Sequence, residues 1–147
     1  MFDKKELVEK LNELSPRELD VLVGRHVYGK EIKIERVESN NKNNIKYLWV
    51  PDKKRKYTRN FSKSRTKTEK MDSRFRPLPR WSSDIRDCYT LLSAVAEEFE
   101  EFQIKILDRK RADVVVSNMK FSGTLCVSIV RMILFITFLK EENEKSN

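Results

Sequence analysis

The run Leu125–Leu139, LCVSIVRMILFITFL, constrains the fold more than any other stretch. It is apolar on nearly every side of a helix, interrupted only by Ser128, Arg131 and Thr137. A helix without a polar face has to be covered all round. The run is too short for a membrane span, which needs roughly 20 mainly apolar residues, and it carries an arginine at its centre. A buried helix is therefore expected from near Ser122 to near Leu139, followed by a charged, frayed tail over 141–147. A chain of 147 residues supports one domain with one modest core. In a domain that small, the expected cover for the outer face of this helix is another subunit, which predicts a homo-oligomer, a dimer or higher.

The rest of the chain supplies what packs around it. Residues 3–14 space Leu7, Leu11 and Leu14 as one helical face. Ser15-Pro16-Arg17-Glu18 then restarts a helix: serine caps, proline suits the first helical position, and the glutamate closes a capping box. Leu19, Leu22, Val23 and Val27 continue the apolar face up to a stop before Gly29. The alternation in EIKIERVE (31–38) predicts a half-buried strand on Ile32, Ile34 and Val37. Asn40–Asn44 reads as a turn, and IKYLWV (45–50) as the returning strand, closed by Pro51. A second helix is expected from Ser83 to about Phe99, capped by Ser82 or Ser83, with Leu91, Leu92, Val95, Ala96 and Phe99 buried. Residues 102–108 and 112–119 read as a second hairpin about the charged turn Arg109-Lys110-Arg111. The expected fold is one α+β domain over 1–147, a small antiparallel sheet of two hairpins sandwiched by helices.

Charge is distributed unevenly. Residues 51–80 hold twelve Lys and Arg against three acids, while the remainder holds nineteen bases and twenty acids. The chain is a nearly neutral domain with one cationic insert. Such a patch attracts polyanions. It can be a solvated loop, or it can contact phosphates, with Tyr57, Phe61 and Phe75 available to stack on bases. Nucleic acid is one partner that fits.

Catalytic signatures are absent from the sequence. One histidine, His26, two cysteines without CxxC spacing and three glycines supply no triad, zinc set or glycine-rich phosphate loop. A non-enzyme without a cofactor or metal is expected. Cys88 and Cys126 fit a reduced intracellular protein, and MFDKKELVEKL lacks the apolar core of a secretion signal.

Two positions remain ambiguous. Trp81, in RWSSDIRDCY (80–89), can staple the start of the following helix, or it can offer its face to a base while Ser82, Ser83 and the helix N–H groups meet an anion. Arg131 needs a partner inside the apolar helix. That partner can be an acid such as Asp87, or a ligand phosphate held bidentately.

Three segments resemble the phage ABA-sandwich domain family. They are SPRELDVLVGRHVYG (15–29), WSSDIRDCYTLLSAV (81–95) and SIVRMIL (128–134), in the family's order. Serine stands at 83 where the family has threonine, and Met132 and Ile133 stand where it has alanines. The resemblance implies a small phage protein in the cytoplasm of an infected bacterium. Such proteins oligomerise and act as sponges for cyclic nucleotide-type signals of anti-phage defence, without cleaving them. The signals include the cyclic ADP-ribose isomers of the Thoeris system and, in some members, cyclic oligonucleotides. It further implies that Trp81 stacks on a base and Arg131 meets phosphate. Arg55, Arg59 and Arg65 of the basic insert are the expected additional phosphate contacts.

Overall fold

The computed structural model describes residues 3–39, 42–51, 75–98 and 101–146. The chain is α+β, with two antiparallel three-stranded sheets and four α-helices among these residues. Helix α1 (Lys4–Glu13) starts where the Asp3 carboxylate accepts from the Lys5 N–H, and it buries Leu7 and Leu11. Helix α2 (Pro16–Leu22) has the full capping box: Ser15 accepts from the Glu18 N–H, and Glu18 accepts from the Ser15 N–H. It runs into a π-helical turn, Val23–Val27, which ends where Gly29 takes a left-handed φ of 62°.

The first sheet has the order β1 (Ile32–Ser39), β2 (Lys42–Trp49), β3 (Arg76–Pro77). The ladder runs from Ile32↔Trp49 to Ser39↔Lys42, so β2 begins within the stretch expected to be a turn. Ile32 and Trp49 are buried against the body, but Ile34 and Ile45, on the same face, are exposed. The hairpin outruns the layer that would cover it, so clean alternation did not translate into burial.

The second sheet contains the expected hairpin and adds a third strand to it. It is a meander of β4 (Gln103–Ile106), β5 (Ala112–Val116) and β6 (Met119–Gly123). The two-residue loop Ser117-Asn118, with φ of 46° and 66°, reverses the chain into β6, where the sequence reading had placed one strand to 119 and then a helix. Ala112, Val114 and Val116 of β5 and Phe121 of β6 form its buried face.

Helix α4 (Leu125–Ser146) packs on that face. Its other sides meet α1, α2, the π-helical turn and helix α3 (Ile85–Val95). Ile129, Val130, Met132, Ile133, Leu134 and Phe135 are all buried. One chain thus encloses the apolar helix, and the argument that a second subunit must cover it falls away. The helix also continues through the segment expected to fray: the His26 Nδ1 lies 3.1 Å from Glu141 Oε1, and its ring meets Phe138 edge-on. Among the described residues no helix is long and apolar enough to cross a membrane.

Candidate functional site

The segment before α3 is a turn held from within. Ser83 and Asp84 both donate their N–H to the Arg80 carbonyl, at 3.1 and 2.7 Å. Helix α3 begins at Ile85, two residues later than expected, and its cap is neither serine. The Asp84 carboxylate accepts from the N–H groups of Arg86 and Asp87. A carboxylate therefore already occupies the anion-favouring end of the helix.

Trp81 is a core residue, only 2% exposed. It stacks on Tyr28 at 5.4 Å and 17°, and meets Trp49 edge-on at 5.1 Å. Tyr28 also packs edge-on against Trp49. These three rings tie the π-helical turn, β2 and the 80–84 turn together. The stacking face that the sequence reading offered to a base is turned to Tyr28. Ser82 is buried too: its N–H donates to Asp20 Oδ1 at 2.9 Å and its hydroxyl to the Pro16 carbonyl at 2.7 Å. Ser83 alone of the three is exposed.

Beside this cluster sits a polar hub with no signal in the sequence. Asp20 is fully buried on α2, and its second oxygen accepts from Arg17 Nη1 at 2.9 Å. The same guanidinium donates to the carbonyls of Pro79 and Leu78, and lies over the Tyr47 ring at 4.9 Å. Burial pushes the Asp20 carboxyl above its ordinary range, while hydrogen bonds from Arg17 and Ser82 pull it back part of the way. This hub pins the 78–82 segment to α2.

Arg131 is held by backbone carbonyls where an acid was expected. Its guanidinium donates to three backbone carbonyls: Leu11 at 3.1 Å, Asn12 at 3.2 Å and Ser122 at 3.2 Å. It thereby satisfies the open C-terminal end of α1 and ties it to β6. Asp87, proposed as its acid partner, instead accepts from the Arg80 N–H at 2.8 Å.

Arg55, Arg59 and Arg65 lie outside the described residues. What the structure places is the root of their segment. Trp49 pairs with Arg76 and Leu48 with Pro77, so the two ends of the cationic stretch are neighbours on one sheet. Lys33 lies over the Phe75 ring at 5.3 Å and bridges to Glu35 at 3.0 Å. Lys46 and Arg80 are exposed nearby in the chain.

Other reactive side chains are accounted for internally. Cys88 on α3 and Cys126 on α4 are both buried, and each influences the other's titration, a proximity their sequence separation had hidden. Burial, with Cys126 beside it, pushes the Cys88 thiol up to about 12. Among the described residues no group of three or more His, Cys, Asp or Glu could hold a metal ion. Comparison with protein-family models, with curated proteins and with solved structures finds no match.

Proposed function

We propose that this protein is a non-enzymatic sponge that binds and holds a cyclic nucleotide-type immune signal, with the 51–80 segment supplying the phosphate contacts. The observation that carries the reading is charge placement: twelve bases against three acids in one stretch, on a body of nineteen bases and twenty acids. The resemblance over 15–29, 81–95 and 128–134 gives the class of ligand. Arg55, Arg59 and Arg65 are assigned the phosphates, because Trp81, Ser82 and Arg131 are engaged within the fold. Capture of this kind needs slow release rather than fast capture. The setting implied is the cytoplasm of a phage-infected bacterium, where removal of the signal blunts defence.

The test is native mass spectrometry of protein purified from bacteria with and without an active cyclic-nucleotide defence. The expected result is an added mass of a few hundred daltons per site, on the order of one nucleotide ligand, released intact on denaturation. It should be absent in an Arg55→Ala/Arg59→Ala/Arg65→Ala triple variant of unchanged melting temperature. Cleaved nucleotide, or no bound mass in either preparation, would sink the reading.

A second reading is favoured by the burial of Trp81. With Trp81 turned inward, the aromatics of the cationic stretch are its own, Tyr57, Phe61 and Phe75, the pattern of a single-strand-binding arm. That reading predicts affinity that grows with strand length and falls steeply with salt, with a log–log slope of about 0.7 per phosphate contacted. A sponge gives saturable one-site binding with a shallow slope.

A further inference from the structure

Strand β4 is an edge, and it is built like one that is meant to be paired. Among the described residues its only sheet neighbour is β5. The Leu107 N–H donates to the Arg111 carbonyl at 2.9 Å. Backbone groups in an antiparallel ladder alternate in direction. Leu107, Lys105 and Gln103 therefore point their N–H and C=O groups at β5. Ile104, Ile106 and Phe102 point theirs at the open side.

The side chains of the same even-numbered residues are also uncovered. Ile104 pairs with Val114 and Ile106 with Ala112, which places them on the face that α4 buries over β5 and β6. Yet Ile104 is 40% exposed, Ile106 67% and the following Leu107 45%. Natural edges are usually guarded by proline, a bulge or a lysine. β4 has no proline, and its ladder is regular from Gln103 to Ile106. Its one lysine, Lys105, stands opposite Asp113 in the ladder, on the face away from Ile104 and Ile106.

We propose that β4 pairs antiparallel with β4 of a second copy of this chain, joining two three-stranded meanders into one six-stranded sheet. The strand is complementary to itself. With Ile104 facing Ile104 across the two-fold axis, Phe102 of each copy faces Ile106 of the other, and Gln103 faces Lys105. Every open N–H and C=O between Phe102 and Ile106 gains a partner, and the apolar face becomes continuous. The contact is small, and interfaces below about 1,200 Å² in total are characteristically weak, so the dimer is expected to dissociate on dilution through the micromolar range.

The inference is independent of the ligand reading, and its test contains no ligand. Sedimentation equilibrium of the full chain should show a monomer–dimer equilibrium. Ile104→Lys/Ile106→Lys should weaken it about 100-fold or more, because each substitution acts twice at a two-fold contact. Both side chains are exposed in the monomer, so the variant should keep its melting temperature at low concentration. A concentration-independent monomer, or a dimer that survives both lysines, overturns the proposal. Amide hydrogen exchange of the unmodified protein serves as a second measurement. The Ile104 and Ile106 amides should become protected as concentration rises, and equal exchange at low and high concentration also overturns it.

Discussion

At the residue scale, the most informative groups are polar ones placed where water is absent. Asp20 and Arg17 join α2 to the 78–82 segment, and an isolated charge there would be costly. Asp20 uses both carboxylate oxygens, one for Arg17 and one for the Ser82 N–H. Asparagine offers one acceptor oxygen, so Asp20→Asn should cost about 1–3 kcal/mol at neutral pH. The pH dependence follows from the raised carboxyl. A folded-state pKa above the 3.8 of a free aspartate means that the fold favours the protonated form. Its contribution to stability is fully present below 3.8 and is lost as pH rises through the folded value. The gap between wild type and Asp20→Asn should therefore widen as urea midpoints are followed down in pH. A gap that narrowed on acidification would contradict the assignment. Nothing in the local sequence distinguishes Asp20 from a surface acid. Its role depends on Ser82, which reaches it only through the tertiary fold.

At the element scale, two backbone positions decide how the chain reverses. Gly29 closes the π-helical turn at a left-handed φ of 62°, with open space where a Cβ would stand. Alanine meets no atom there but takes a disfavoured backbone conformation, so Gly29→Ala should destabilise by about 1 kcal/mol. Ser117 holds a φ of 46° in the β5–β6 loop, where glycine is the better residue. Ser117→Gly should stabilise by about 0.5–1 kcal/mol, and thermal melts of both variants test the pair of opposite signs. The Ser117-Asn118 dipeptide was also the missed signal for β6. Serine is a poor residue for such a turn, so the sequence read as a strand running on into a helix. The capping box at Ser15, by contrast, was legible because both of its hydrogen bonds join residues three apart.

At the scale of the whole molecule, α4 is the axis, and what surrounds it sets the behaviour of the two thiols. Cys88 and Cys126 sit in the shared interior of α3 and α4. Burial keeps the Cys88 thiol protonated up to about 12. In the native state both cysteines should react with a disulfide reagent at mildly alkaline pH at the rate of opening, not of chemistry. The rate should be independent of reagent concentration at high reagent and should rise steeply in sub-denaturing urea. Rapid stoichiometric labelling without denaturant would show that the α3–α4 seam is more open than the packing implies. At the same scale, charge separation between the cationic segment and the body supports a polyanion partner. The proposed pairing with a second copy uses the open edge of β4, not the outer face of α4.

The sequence by itself determined the helices with local caps, the α+β class, the first hairpin and the need to bury Leu125–Leu139 on all sides. Each of these rests on interactions between residues a few positions apart, or on a period that burial imposes. Only the tertiary structure decided what covers the apolar helix, that two sheets form rather than one, and that Trp81 and Arg131 serve the fold. A tryptophan before a helix and an arginine within one carry the same local signature whether they face a ligand or the interior. The difference lies in Tyr28 and Trp49 for Trp81, and in the carbonyls of Leu11, Asn12 and Ser122 for Arg131. Most of those partners are distant in sequence, and even Ser122 is brought to Arg131 by the meeting of β6 with α4.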